Sequence, residues 1–207
     1  EAALKEKISG LSSEGVPVDS ITFSGNGEPT LNPDFAGIID VTLRLRDEYY
    51  PSAKVSVLSN ATMLGRNEVF EALKKVDNPI LKIDAASDLL ISKINKPQGK
   101  YELETVVEAL KKFEGDFVLQ TMFLRSPDFD LTETLEQWRS LVRLLKPREI
   151  MVYTIDRETP DKTLGQWDFW SSNANLFKGD FFRIKQLQLG YTLPAKLTKK
   201  AASSNLR

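Results

Sequence analysis

Ser24-Gly25-Asn26-Gly27-Glu28-Pro29-Thr30 follows a short apolar run, Ile21-Thr22-Phe23, and precedes a helix start. Two glycines and a carboxylate there deliver bare backbone and one acid to the rim of a sheet. Glycine admits close approach of a ligand and positive φ. Glu28 accepts from an amino or hydroxyl group. A tight strand-to-helix turn is the other reading of the same residues. Asn60, after Leu58-Ser59, offers an amide that donates and accepts, or caps a turn. Asp84 ends Lys82-Ile83-Asp84, where it can hold a ribose hydroxyl or cap the next turn. Gln120 sits in an otherwise apolar run, facing either a ligand or a core partner. Tyr153, Asp156 and Arg157 close the last clear run, and the latter two also fit a surface salt bridge.

The elements that must position these residues alternate. Ser20–Ser24, Lys54–Ser59, Ile80–Ala85, Phe117–Phe123 and Ile150–Ile155 are short, apolar and rich in β-branched residues, which predicts buried strands. Helical patterns lie between them. The N-terminus, Glu1 to Lys7, reads as a helix already under way, so the chain is expected to lack its natural start. Asn32 and Pro33 predict the cap and first residue of a helix carrying Phe35, Ile38, Ile39, Leu43 and Leu45. Further helices are predicted over Asn67–Val76, over Tyr101–Phe113, and from a cap at Thr132 to a stop at Pro147. Strand-helix alternation with short links implies a parallel sheet with right-handed crossovers, open or curved into a barrel. Either form places the functional rim at the C-terminal strand ends.

Composition narrows the chemistry. The 207 residues contain no cysteine and no histidine. That excludes disulfides, the usual zinc ligand sets, a thiol nucleophile and a Ser-His-Asp triad. No run of about 18 apolar residues predicts a spanning helix. Net charge is -1, but residues 167–207 hold seven Lys/Arg against two Asp, and residues 1–166 hold 21 Lys/Arg against 27 Asp/Glu. A basic tail suits an acidic partner; a solvated face is the simpler reading of charges so dispersed.

The segment ITFSGNGEPTL (21–31) resembles the second strand and loop of radical S-adenosylmethionine enzymes. The likeness continues through VSVLSNAT (55–62), LKIDAAS (81–87), INKP (94–97), LQTMF (119–123) and MVYTIDRETP (151–160). The nearest group is the iron–sulfur oxidoreductase branch related to wyosine-base enzymes of tRNA. This resemblance implies a partial (β/α)6 barrel over residues 1–164, truncated at its N-terminus. It implies S-adenosylmethionine as cofactor, with Gly25, Asn26, Gly27 and Glu28 at its amino group. Ser59, Asn60 and Asp84 fall near the methionine or ribose, and Gln120 and Tyr153 on the substrate or adenine side. In such enzymes a reduced [4Fe–4S] cluster cleaves the sulfonium to a 5′-deoxyadenosyl radical. The cluster loop with its three cysteines precedes the helix at 1–13 and is not in this chain, so the chain alone is expected to perform no radical chemistry. A reductant protein, a substrate that by family analogy includes tRNA or another macromolecule, and a cytoplasmic setting follow from the same resemblance.

Beyond Leu164 the rhythm fails. DFWSSNANLFKGDFFRIKQLQLGYTLP (168–194) resembles a C-terminal barrel segment of starch-utilisation-type TonB-dependent outer-membrane receptors. From Leu187 to Leu193 large apolar residues alternate with polar or small ones, as in a half-exposed strand. Residues 165–207 are therefore expected to form a short β-type extension of different origin, or else an ordinary extension of the enzyme domain. Two other functions stand beside the radical enzyme. One is a non-catalytic interaction module acting through the tail. The other is a metal-assisted barrel lyase or hydrolase using Glu28, Asp84 and Asp156.

Overall fold

Alternate residues along each strand divide into a helix-facing set and an inner set, and that division organises the fold. The computed structural model describes residues 1–25, 27–126, 131–154 and 165–166. In chain order its elements are α1 (Ala2–Ser13), β1 (Ser20–Phe23), a 3-10 turn (Pro29–Leu31), α2 (Phe35–Tyr49), β2 (Lys54–Ser59), α3 (Asn67–Lys75) and β3 (Asn78–Lys82). Then follow α4 (Asp88–Asn95), α5 (Leu103–Lys111), β4 (Val118–Met122), β5 (Leu124–Arg125), α6 (Leu131–Leu145), β6 (Glu149–Tyr153) and β7 (Gly165–Gln166). The chain divides into two units, Glu1–Trp167 and Asp168–Arg207, and the second lies outside the described residues.

Five strands form one parallel sheet in the order β1-β2-β3-β4-β6, while β5 pairs antiparallel with β7. Spatial order in the large sheet repeats chain order. Each crossover therefore steps the same way, and right-handed connections put the helices on one face. A doubly wound sheet would reverse direction at a switch point. The fold is thus the parallel α/β barrel wall that the resemblance implies, one of the two forms left open by the strand-helix alternation.

The helix-facing side carries Val55, Val57, Leu81, Ile83, Leu119 and Thr121, each at most 1% exposed. Parallel register sets the other side: Ser56 opposite Asn78, Lys82 opposite Gln120, Gln120 opposite Met151, and Met122 opposite Tyr153. That second face is the inside of the wall, and it mixes polar residues with Leu58, Ile80, Val118, Met122 and Met151. Asn78 Nδ2 donates to Ser56 Oγ at 3.0 Å, and Arg148 donates to Asn78 Oδ1 at 3.0 Å.

Several boundaries differ from the sequence reading. β3 runs Asn78–Lys82 instead of Ile80–Ala85, because Asp84 takes the Met122 N–H into its side chain and ends the ladder. α2 starts at Phe35 with Asp34 as N-cap; Asn32 instead closes a turn, its Oδ1 accepting from Asp34 N–H at 2.9 Å. α5 begins at Leu103, not Tyr101, since Asp88 Oδ1 caps the Leu103 N–H at 2.7 Å. α6 begins at Leu131, one residue before the expected Thr132 cap. α4, capped by Ser87 Oγ at the Leu90 N–H, was not foreseen.

The N-terminal ends of the strands are fastened by charge. Asp77 accepts from Arg46 at 2.8 Å, Lys54 at 3.0 Å and the Val55 N–H at 2.9 Å. Burial would raise its pKa, but these donors outweigh burial and hold it down at about 2, against an ordinary 3.8. A depressed carboxylate stabilises the fold above its unfolded pKa and loses that contribution as pH falls through the folded value. Acid titration of thermal stability should therefore show a loss between about pH 4 and pH 2 that Asp77→Asn lacks, worth about 1–2 kcal/mol after solvent screening. An acid limb unchanged in Asp77→Asn would refute the assignment. Nearby, Gly115 adopts φ +87°, and a Cβ there would lie 2.5 Å from the Lys146 carbonyl oxygen. Glycine is what lets the turn before β4 pass under the end of α6.

Candidate functional site

The first constellation joins the ends of β1 and β2. Glu28 caps the 3-10 turn: its Oε1 accepts from Thr30 N–H at 3.1 Å and from Thr30 Oγ1 at 2.5 Å. Its Oε2 accepts from the Asn60 N–H at 2.7 Å. One carboxylate thereby clasps two strand-end loops, and three of its roughly four lone-pair sites are engaged. Asn60 Oδ1 accepts from Thr62 N–H at 3.0 Å and Thr62 Oγ1 at 2.6 Å. Ser59 faces the helices, 5% exposed, and its Oγ accepts from Ala61 N–H at 3.1 Å. Ala61 sits at φ 63°, a left-handed conformation that costs a residue with a side chain about 1–2 kcal/mol. Strain of this kind is held where surrounding bonds over-determine a loop.

Gly25 and Gly27 are exposed beside this clasp, and a Cβ on either would meet nothing within 4 Å. Neither has positive φ, so the conformational reason for glycine is not the one operating here. What the glycines leave is room. A cavity of about 400 Å³ opens at the turn, lined by Thr22, Phe23, Gly25, Gly27, Glu28 and Phe35 among others. Asn26 lies outside the described residues.

The second constellation lies on β3, β4 and β6. Asp84 has a fully covered side chain; Oδ1 accepts from the Met122 N–H at 2.8 Å. Its Oδ2 lies 2.6 Å from Lys82 Nζ, an ion pair off the hydrogen-bonding direction, so that oxygen has a charge beside it but no aligned donor. Burial would lower the Lys82 pKa, but Asp84 and the Tyr153 hydroxyl outweigh it and raise it. Burial pushes the Tyr153 phenol up, and burial with Asp84 and Asp88 nearby pushes Tyr101 up further. All three groups therefore stay protonated at neutral pH. Gln120, half-buried, stands beside Lys82 on the inner face by register.

Of the residues picked out from sequence, Glu28 is bonded to the Asn60 loop, and Asp84 and Tyr153 flank Lys82. Ser59 is committed to its own turn, and Asp156 and Arg157 lie outside the described residues. Lys82 and Tyr101 were missed. The available signal was the period-two alternation that puts Lys82 two residues before Asp84 on the same face. Among the described residues no group of three or more acids could hold a metal ion. A depression of about 800 Å³ lies between α3 and α5 and is lined by Glu71, Asp88, Glu102, Glu104 and Glu108 among others. It opens on helices away from the strand ends, where an α/β barrel carries its chemistry.

A parallel barrel wall with a glycine-opened, carboxylate-clasped rim is the class of architecture that fold and site define. No family model matches the chain. A UPF0026 protein of Synechocystis is 31% identical over 147 residues, covering 69% of this chain and 52% of that protein. A UPF0026 protein of Helicobacter pylori is 24% identical over 150 residues, covering 70% of this chain and 47% of that protein. A protein named GTPase Obg from Brachyspira hyodysenteriae is 26% identical over 149 residues, which cover 70% of this chain and 21% of that protein. The chain thus spans about half the length, or less, of the curated relatives it matches. It carries no G-x-x-x-x-G-K-S/T phosphate loop. Among solved structures, Streptococcus suis SuiB bound to S-adenosylmethionine superposes with TM-score 0.58 at 15% identity, covering 80% of this chain and 36% of that one. That likeness is one of fold. Among the described residues no helix is long and apolar enough to cross a membrane.

Proposed function

We propose that this chain is the S-adenosylmethionine-binding core of a radical enzyme of the iron–sulfur oxidoreductase type. The observation that carries the reading is the β1 rim, where Gly25 and Gly27 leave open space against a cavity of about 400 Å³ beside the Glu28 carboxylate. An amino group placed there would meet the remaining lone pair of Glu28 and unobstructed backbone. Asp84, just past β3, is read as the acceptor for a ligand hydroxyl, sharing its Oδ2 with Lys82 Nζ at 2.6 Å. Bound S-adenosylmethionine would supply a reductively cleavable sulfonium. The protein's part is to hold its two ends and exclude water. A [4Fe–4S] cluster does not fit the residues present, because the 207 residues contain no thiol, so no step through a cluster is assigned to this chain.

The finer reading follows the motif series: a branch close to wyosine-base enzymes, a cytoplasmic setting, a reductant protein, and a macromolecular substrate such as tRNA. Residues 165–207 are read as a β-type segment of separate origin. Limited proteolysis that leaves a stable core ending near residue 165 supports that reading, and an uncleaved 23.3 kDa species overturns it.

The functional test is isothermal calorimetry of the whole chain with S-adenosylmethionine. One saturable site is expected, weakened about tenfold or more in Glu28→Gln, which keeps the shape but removes the charge. No heat at millimolar ligand would overturn the proposal.

A further inference from the structure

Thr30 is 0% exposed and carries a hydroxyl into the middle of the 3-10 turn. That hydroxyl donates to Glu28 Oε1 at 2.5 Å, and the Thr30 N–H donates to the same oxygen at 3.1 Å. Both lone-pair directions of Oε1 are therefore taken. Oε2 receives one donor, the Asn60 N–H at 2.7 Å, and keeps its other direction. All three donors are neutral, so they orient the charge without cancelling it. A turn cap alone would not need this arrangement: capping takes one acceptor, and the short side chains of Ser, Thr, Asp and Asn serve it best. The Asn60 arm is held just as firmly. Ser59 Oγ accepts the Ala61 N–H, Asn60 Oδ1 accepts the Thr62 N–H and hydroxyl, and Ala61 is kept at φ 63°. Glu28 lines the cavity of about 400 Å³ at the rim, whereas Thr30 and Asn60 are not among its lining residues. Whatever these two do for a ligand, they do through Glu28.

We propose that Thr30 is a positioning residue: its hydroxyl locks Oε1 of Glu28, so that Oε2 is the oxygen that takes the ligand's ammonium group. The proposal rests on the reading of this rim as the amino-group end of the S-adenosylmethionine site. The physical reason lies in the glutamate side chain itself. The last torsion of Glu is broad, with no sharp staggered wells, so the carboxylate plane must be set by outside donors. The backbone N–H groups of Thr30 and Asn60 fix one direction on each oxygen. The Thr30 hydroxyl supplies the third point, which settles the plane and closes Oε1 to a competing donor. Valine has a similar shape at position 30 and lacks only that donor.

The experiment measures S-adenosylmethionine affinity of the whole chain by calorimetry, and amide exchange without ligand by heteronuclear NMR. Thr30→Val should weaken affinity about tenfold, and Thr30→Ser, which keeps the donor, should stay within about threefold of the parent. Glu28→Gln combined with Thr30→Val should bind no more weakly than Glu28→Gln alone, because one residue acts through the other. Without ligand, the Asn60 amide should exchange about tenfold faster in Thr30→Val, while Val55, held by Asp77, keeps its rate. Affinity unchanged in Thr30→Val, effects that add in the double variant, or Asn60 exchange that stays put or moves only together with Val55 would each overturn the proposal. If Thr30→Val does not fold, Thr30→Ala, which fills less space, is read by the same criteria. Binding by the parent that Thr30→Val leaves intact sinks the positioning role alone. If the parent does not bind S-adenosylmethionine at all, the functional reading falls, and Asn60 exchange still decides whether Thr30 sets the Glu28 carboxylate.

Discussion

Trp138→Ala should destabilise the chain by about 3–5 kcal/mol, the range for deleting a buried aromatic side chain. Trp138 on α6 is 8% exposed and stands edge-on to Phe123, with ring centroids 5.2 Å apart at 74°. Its Nε1–H donates to Thr121 Oγ1 at 3.0 Å, and Thr121 Oγ1 donates to the Ile83 carbonyl at 2.7 Å. Thr121 is 0% exposed, so removing the indole leaves its oxygen without that donor and without water. Trp138→Phe separates the two contributions. It keeps most of the apolar area and loses the hydrogen bond, which should cost about 1 kcal/mol. Urea unfolding followed by far-UV circular dichroism measures both. A cost below about 1 kcal/mol for Trp138→Ala would mean that α6 does not fasten the sheet as described.

The same contacts link stability to the site. The Trp138–Thr121–Ile83 relay crosses from helix to β4 to the residue after β3, next to Asp84, and Ile83 N–H donates to the Gln120 carbonyl at 3.0 Å. Loosening α6 therefore loosens the register in which Lys82, Asp84 and Gln120 stand. Hydrogen exchange at Ile83 and Met122 should accelerate in Trp138→Ala more than exchange at Val55, which is held from the Asp77 end.

The legible parts of the sequence were those where period and burial agree. β2 has the predicted bounds, Lys54–Ser59, because Val55 and Val57 face helices and its ends are turns. β3 was displaced by two to three residues for two reasons. Pro79 argues against a central strand, yet it sits in the sheet opposite Val57. Asp84 and Ala85 are buried and so read as strand, although the Asp84 side chain replaces the ladder there. α4 escaped notice because an eight-residue helix offers only Leu90, Ile91 and Ile94 as periodic residues. In the site, the glycine-carboxylate turn announced itself through residue type. The Glu28–Asn60 bond did not, since it joins residues 32 apart. Lys82 was invisible for a different reason. A lysine in a strand ordinarily marks a solvent face, and only the one-way winding of the sheet turns that face into an interior.

Asp84→Ala should cost about 2–4 kcal/mol, somewhat below the range for breaking a fully buried pair because Lys82 keeps a quarter of its side chain exposed. Two groups lose a partner together: the Met122 N–H and the Lys82 ammonium. The stabilisation from a lysine with raised folded pKa is fully present below its unfolded value, near 10.4, and is lost as pH rises through the folded one. At neutral pH the pair is therefore intact, and Asp84→Ala exposes its whole effect. With the carboxylate gone, only the Tyr153 hydroxyl still opposes burial at Lys82, and its pKa should fall. Adding Lys82→Met removes the stranded charge and should recover about 1–3 kcal/mol of the loss, a coupling readable from the double-mutant cycle. An additive cycle would mean that the 2.6 Å pair carries no energetic link. A full recovery would have the opposite force. It would show that the stability of the wall does not require a charged pair there.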